Sequence, residues 1–456
     1  MKPLREQGLP TGTETNLPCL PSASLPAQPS QARSPVQGPS HRVGPDGPAN
    51  PLCLQHCGLA RVAGNWALDT FRDAWFTESG IDGEWLSDMD LRKAFNAVKR
   101  DVYPWSADLC QHVGKNAIRH MADGLQRWGR YCQARKAGRK VRRVGFPKHR
   151  RKGRHMSFTF TNGRHTARVD GQHVYIPAVG WVRMREALRF TGDILSATVS
   201  LQAGRWFVSF QVETADRKPA LRPGPVIGID MGVKTLATLW DGDEVTEIAN
   251  PRPLQAALAE LRRVNKAIAR SCKVHGKHNN SHRREDLYAE RQRLYAKVSH
   301  IRNDHHHNVT TAVAQRGGTV KVETLNLSGM ARNSRLARSV HDAGMGEFLR
   351  MLAYKCDWHG TEFVQIDRWY PSSKTCSQCG ARKQALLLSE RTYRCVACGF
   401  QCDRDANAAR NIQAFHTAAR SAVADAETRE TDRQAGPYGR RSVNQTDDPL
   451  PLCTGS

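Results

Sequence analysis

Four cysteines stand in two C-x-x-C pairs, Cys376-Ser-Gln-Cys379 and Cys395-Val-Ala-Cys398, with 15 residues between them. Two thiolates per turn, each turn followed by a glycine (Gly380, Gly399), can wrap one zinc ion tetrahedrally. A redox C-x-x-C would stand singly beside a βαβ unit. With every position a thiolate there is no open coordination position for water, so such a zinc holds structure and does not catalyse. A second set of chemistry-bearing residues is acidic. Asp230 ends the apolar strand pattern in VIGIDMGVKTLATL, between Gly228 and Gly232, where small neighbours leave a carboxylate open to a close-approaching ligand. Glu323 ends another such pattern in VKVETLNL, and Asp405 stands in CDRDANAARNI at the first turn of a helix. Three carboxylates from separate elements are what a two-metal phosphodiesterase needs, because divalent ions take oxygen ligands and bridge the scissile phosphate about 3.5–4 Å apart. Spacing along the chain does not by itself bring them together. A lone acid at a strand end is usually a solvated turn residue or a helix cap, and either Asp403 or Asp405 can cap its helix.

The third feature is basic. From Arg135 to Arg154, RKAGRKVRRVGFPKHRRKGR carries eleven Lys/Arg and no acid. It reads either as a solvated loop or as a phosphate-gripping segment feeding a strand, and Lys148, Arg150, Arg151, Lys152 and Arg154 are its candidate nucleic-acid contacts. Phe158 and Phe160 in the SFTFT that follows can stack bases, although the alternation favours core packing for at least one of them. The chain as a whole agrees: 68 Lys+Arg against 43 Asp+Glu give a net charge of +25, a field that attracts polyanions. No run approaches the roughly 18–20 apolar residues of a membrane span, and no signal-peptide core opens the chain, so a cytoplasmic protein without a membrane partner is expected. The cysteines outside the two pairs show no framework spacing, which suits a reducing compartment. His305, His306 and His307 are consecutive, and on a helix they point in different directions, which argues against a metal site there.

The elements that must position these residues follow from changes of period. Residues 1–53 are Pro- and Ser-rich and are expected to be disordered. Residues 54–135 repeat apolar residues at helical intervals, and 136–216 combine the basic segment with strands of period two. After a Pro-rich linker, 217–370 alternate strands with helices as a mixed α/β domain does, and Leu254 to about Gln315 reads as a helical pair with an exposed basic turn. The two cysteine knuckles occupy 371–400, a final helix 401–417, and a frayed polar tail 418–456.

GIDMGVKTLAT, VETLNLSGM, HDAGMGEFLRMLAYK, DRWYPSSKTCSQCG, YRCVACG and DRDANAARNI resemble, in order, the signature blocks of TnpB, the insertion-sequence protein long labelled a transposase. CGLARVAGNWAL, GFPKHRRKGRHMSFTFT and AGRWFVSFQVE resemble it upstream, so the likeness runs from about residue 54 to 415. The resemblance implies a multidomain α/β fold: an RNase H-like (RuvC) nuclease domain with an inserted zinc ribbon, preceded by a β-barrel-like wedge domain carrying a helical recognition insert. It implies an RNA-guided DNA endonuclease encoded by a transposable element, with a guide RNA from the element's end and double-stranded target DNA as partners. In such a division of labour the protein grips the heteroduplex backbone while pairing reads sequence. Asp230, Glu323 and Asp405 match the family's catalytic acids, Asp405 being preferred to Asp403 because it stands in the D-x-N-A-A position. They would hold two Mg²⁺ ions, or Mn²⁺, beside one structural Zn²⁺ on the cysteines. A monomer when RNA-bound is expected; the alternatives are a guided DNA-binding protein that cuts weakly or not at all, and a compact type V CRISPR effector. The chain departs from the family's pattern in the Pro-rich segment where a short basic and aromatic strand normally stands, and in Asn308 after His307 where Lys is usual.

Overall fold

The computed structural model describes residues 36–37, 41–43, 49–76, 83–161, 168–188, 192–213, 219–276, 281–387 and 389–415. The expected tail from 418, and most of the segment 1–53, lie outside them. The chain divides into two compact units, residues 1–217 with 263–296, and residues 218–262 with 297–456.

The first unit opens with two short strands, β1 (Val36–Gln37) and β2 (His41–Val43), and three helices, α1 (Ala49–Trp75), α2 (Asp88–Val102) and α3 (Gln111–Lys136). Ser87 and Asp90 form a reciprocal capping box at the start of α2, with acids in its first turn and Lys99 and Arg100 in its last, matched to the helix dipole. Strands β3 (Ser157–Thr161), β4 (Arg168–Asp170), β5 (His173–Ile176), β6 (Gly180–Arg183), β7 (Asp193–Gln202) and β8 (Arg205–Glu213) follow. They form an antiparallel sheet of order β1-β8-β7-β3, with β2 also on β8, and a smaller sheet β4-β5-β6. β7 and β8 join through Ala203 (φ 49°) and Gly204 (φ 76°), the two left-handed residues a tight hairpin requires. Period two holds along β8, where Trp206, Val208, Phe210 and Val212 are buried. Phe158 and Phe160 are both buried, at 2% and 0% exposure, so neither is free to stack a base.

Two expectations change here. Residues 36–37 and 41–43, read as lacking order, pair with β8 through backbone hydrogen bonds, and α1 already begins at Ala49. The helices and the sheet are not separate domains either. Phe71, Leu91, Ile118 and Leu125 share one continuous core with Phe158, Phe160, Val199 and Phe210. His56 stacks on Phe158 at 5.0 Å, and Asn116 Nδ2 donates to the Thr159 carbonyl at 3.0 Å.

The second unit is a five-stranded sheet of order β11-β10-β9-β12-β13. Its strands are β9 (Val226–Met231), β10 (Thr235–Trp240), β11 (Val245–Ala249), β12 (Thr319–Glu323) and β13 (Glu362–Ile366). The first three are antiparallel neighbours; β12 runs parallel to β9, and β13 parallel to β12. Between β11 and β12 in the chain come α4 (Pro253–His275) and the 35-residue α5 (His282–Arg316), the expected helical pair, whose residues 263–296 belong to the first unit. Arg284, fully buried, ties α5 to the end of α4 through the Ser271 hydroxyl and the Ser271 and Gly276 carbonyls. Helices α6 (Leu327–Arg332), α7 (Ala337–Ala343) and α8 (Met345–His359) precede β13. Strands β14 (Thr392–Arg394) and β15 (Gln401–Asp403) then form a hairpin that runs directly into α9 (Arg404–Ala414), so the cysteine module extends past residue 400. Among the described residues no helix is long and apolar enough to cross a membrane.

The sheet is covered on both faces by different means. Ile227, Ile229, Val320 and Val322 share a core with Val313 of α5 and Phe348 and Leu352 of α8. The opposite residues of the same strands meet α9. A Cβ on Gly228 would lie 2.2 Å from the Ala409 carbonyl oxygen and 2.5 Å from the Gln413 amide, so α9 lies directly on the strand. Because those atoms are backbone, Gly228→Ala must push the helix off the sheet. Urea denaturation is expected to show a loss of about 1–3 kcal/mol, and an unchanged midpoint would contradict this packing.

Candidate active site

Asp230 and Glu323 are brought together by strand register. In the parallel pair β9–β12, Lys321 lies opposite Gly228 and Val322 opposite Ile229, so the next step along both strands sets Glu323 beside Asp230. Neighbouring strands are about 4.8 Å apart, and residues level with each other project from the same face. That face is the one α9 covers, and the stride of two that carries Gly228 to Asp230 also carries Lys321 to Glu323. Lys321 fixes the far end of the helix, its Nζ donating to the carbonyls of Gln413 and Phe415, each at 2.7 Å, where a cation complements the C-terminal dipole. The N-terminus of α9 therefore reaches the acidic end. There Asp403 is the N-cap, its Oδ1 accepting from the Asp405 amide at 2.8 Å and the Ala406 amide at 3.1 Å. Asp405 is thus free of capping, and Arg404 Nε and Nη2 donate to its Oδ1 at 3.2 and 3.1 Å.

Asp230 feels the other two acids. Burial, and then the charges of Glu323 and Asp405, push the Asp230 carboxyl well above its ordinary range, with Arg404 acting in the opposite sense. Burial also raises Glu323, partly offset by the hydrogen bond it accepts from the Ser372 hydroxyl. They do not form a closed ligand shell. Among the described residues, only Cys376, Cys379, Cys395 and Cys398 make a group of three or more possible ligands whose donor atoms all lie within 4.8 Å of one another.

The cysteines are built as two matching turns. The Cys376 amide donates to the Ala381 carbonyl and the Gly380 amide to the Cys376 carbonyl; Cys395 does the same with Phe400 and Gly399. Gly380 (φ 75°) and Gly399 (φ 74°) supply the left-handed residue each turn needs. The Sγ atoms of Cys376 and Cys398 are 3.7 Å apart and those of Cys379 and Cys395 3.6 Å. Tetrahedral bonds of about 2.3 Å imply sulfur separations of about 3.8 Å, so the four thiols can hold a metal such as zinc.

The basic candidates divide. Lys148, Arg151, Lys152 and Arg154 are exposed, whereas Arg150 is half-buried. Its amide donates to Asn65 Oδ1 at 2.8 Å, its carbonyl accepts from Asn65 Nδ2 at 3.0 Å, and burial draws its guanidinium pKa down. Arg150 is an anchor of the segment, together with Phe146, whose ring meets Trp128 at 4.9 Å.

Residues 209–334 match the family model described as "Probable transposase", OrfB of IS605, and residues 346–412 match "Cas12f1-like, TNB domain". A Mycobacterium tuberculosis protein named "Putative RNA-guided DNA endonuclease" is 31% identical over 430 residues, covering 87% of this chain and 91% of the relative. A Streptomyces pristinaespiralis protein of the same name is 36% identical over 290 residues, covering 63% of this chain and 67% of the relative. The chain belongs to the TnpB family. The structure titled "Cryo-EM structure of the Cas12f1-sgRNA-target DNA complex" shares the fold at a TM-score of 0.51 and 14% identity, covering 80% of this chain and 82% of that one.

Sequence reasoning missed the residues that lock α9 of this TnpB-family chain to the cysteine module. Asn411 Nδ2 donates to the carbonyls of Ser372 (2.7 Å) and Thr375 (2.6 Å), and Asn407 bonds the Thr375 carbonyl and the Ser377 amide. Ser372 in turn holds Glu323. The signal was present in NAARN: two amides four residues apart share one helix face, and amides on a face otherwise of alanine must find buried partners.

An elevated Asp230 pKa has a consequence for stability. A carboxyl whose folded pKa exceeds its unfolded value stabilises the fold at low pH, and that contribution disappears as pH rises through the folded pKa. In a chelator, Asp230→Asn should therefore melt higher than the parent above about pH 7, the gap closing near pH 4. Identical melting curves for the two proteins across that range would refute the shared acidic field.

Proposed function

We propose that this chain is an RNA-guided DNA endonuclease of a transposable element, cutting target DNA at Asp230, Glu323 and Asp405 in a RuvC-like nuclease domain. The observation that carries the reading is the β9–β12 register, which brings Asp230 and Glu323 to the same end of parallel neighbours, together with Asp405 in the first turn of α9. The strand order, three antiparallel and two parallel with a helix across one face, is consistent with the RNase H-like arrangement the resemblance implies. The M. tuberculosis relative named for this activity, matched over nine-tenths of its length, and the net charge of +25 support nucleic-acid partners, here a guide RNA and a duplex DNA target.

The acids suit divalent magnesium or manganese, because Asp230 is raised by the charges of Glu323 and Asp405, the mark of a concentrated negative field of oxygen ligands. A divalent ion bound there would supply charge neutralisation at the phosphate and an acidified water. The chain's own groups orient the site. Ser372 holds Glu323 and Arg404 holds Asp405, and Asn411 fixes Ser372 from α9. Zinc on the four cysteines would keep that loop in register with the helix. In the first unit, α1–α3 and the sheet would serve as the recognition and wedge parts, with Lys148, Arg151, Lys152 and Arg154 gripping phosphates. A second reading, a guided binder that does not cut, is favoured by one observation: the three carboxylates lack the close convergence of the thiols.

Two variants separate these readings. Asp230→Ala is expected to abolish cleavage of a target matched to the copurifying guide RNA while leaving guide and target binding unchanged; undiminished cleavage would eliminate the acid mechanism, and binding without cutting by the parent chain would favour the second reading. Cys376→Ser is expected to lose the bound zinc and lower the melting temperature, since metal binding contributes folding energy. A zinc-free variant with the parent melting curve would show the module to be dispensable.

A further inference from the structure

Trp369 is 79% exposed, in the loop that leaves β13. A side chain with so much apolar surface in water gives the fold little, yet its backbone is tightly held. The Trp369 amide donates to Asp367 Oδ1 at 2.6 Å, the Tyr370 amide to the Asp367 carbonyl at 3.2 Å, and the Ser372 amide to the Tyr370 carbonyl at 2.9 Å. The Tyr370 ring packs on Phe415 with centroids 4.8 Å apart. The Arg368 guanidinium lies 5.1 Å from the Trp369 ring centroid, a cation backing the indole.

The loop starts at the acidic edge of the sheet, because Ile366 pairs with Glu323 across β12 and β13. It ends there too, at Ser372, which bonds Glu323. Trp369 lies three residues from each, so its Cα is within about 11 Å of both.

We propose that Trp369, backed by Arg368, is a stacking platform for an unpaired base of the DNA strand being cut, a few nucleotides from the scissile phosphate. The inference rests on the nuclease reading and deepens it by naming a substrate contact that sets which phosphate meets the acids. An indole face stacks any base, and an adjacent guanidinium adds attraction for the neighbouring phosphate. Such a contact requires a single-stranded substrate, since paired bases present no free face. It also requires a rigid support, which the hydrogen bonds of 367–372 provide.

Stacking of one base is worth roughly tenfold to hundredfold in affinity. With the full chain bound to its copurifying guide and an end-labelled single-stranded DNA complementary to that guide, Trp369→Ala is expected to raise KM by about that factor. It should also spread the cuts over neighbouring phosphates, with kcat and melting temperature near the parent's and most of the effect rescued by Trp369→Phe. A single parental cut position at parental KM in Trp369→Ala overturns the proposal while leaving the nuclease reading intact. A parent that does not cut overturns the nuclease reading instead, and a second readout then still decides the stacking. The Asp230→Ala chain should quench a 2-aminopurine placed near the expected cut, and the Asp230→Ala, Trp369→Ala double variant should not; equal quenching by both excludes Trp369 as the platform.

Discussion

The contact on which the second unit depends is the seating of α9 on Gly228. With no side chain there, the helix backbone comes close enough for Gln413 Nε2 to donate to the Val226 carbonyl at 2.8 Å. The even-numbered face of β9 then carries a helix at Gly228 and an acid at Asp230, while β12 carries Lys321 and Glu323 at the matching levels. One stride of two residues separates Lys321, which holds the helix end, from the partly buried Glu323. Lys321 binds the C-terminal carbonyls, and the helix length sets where Asp405 arrives. Moving the helix outward by a methyl group would shift Asp405 while Asp230 and Glu323 stayed on their strands.

The cysteine module completes this arrangement from the side. Its first knuckle is bonded to α9 through Asn407 and Asn411, and the chain entering it supplies Ser372 to Glu323. A metal on the thiols would therefore stabilise more than a small hairpin. It would fix the loop 371–377 against a helix whose buried amides bond to that loop, and leaving such amides unpaired costs about 1–3 kcal/mol per group. That loop follows the 367–372 turn that carries Trp369, so folding energy placed in a metal on these thiols would add order at the acidic edge.

What could be read from the sequence was what a residue type demands locally. Cysteine spacing pointed to a metal-sized cluster and period two marked Trp206 to Val212, whereas Gly228, read as leaving room for a ligand beside Asp230, instead admits the backbone of α9. What could not be read depended on which surfaces meet. Phe158 and Phe160 alternate with Thr159, which is compatible with one stacking ring or two core rings; the helices lying on that sheet make both core. Arg150 has the same composition context as Arg151, and only its pairing with Asn65, 85 residues distant, separates anchor from exposed cation. The pairing of residues 36–37 and 41–43 with β8 is carried by backbone groups, which composition does not report. Asp405 was preferred to Asp403 on the resemblance, with either acid able to cap the helix, and hydrogen bonds assign the cap to Asp403.

The electrostatics of the acids explain why Arg404 stands where it does. On adjacent strands beneath a helix terminus, burial and the charges of Glu323 and Asp405 push the Asp230 carboxyl well above its ordinary range. Arg404 supplies the only opposing charge among the causes acting on Asp230, and it is itself held by the Glu390 carbonyl at 3.2 Å. A guanidinium cannot give up its charge, so it offsets the negative field at any working pH without competing for a proton. It also occupies Asp405 Oδ1, so any cation drawn to the acids must share that carboxylate with Arg404 or displace it. Charge balance in the absence of metal and readiness to bind metal are opposing demands on one residue, and the separation of the three carboxylates is the expected compromise between them.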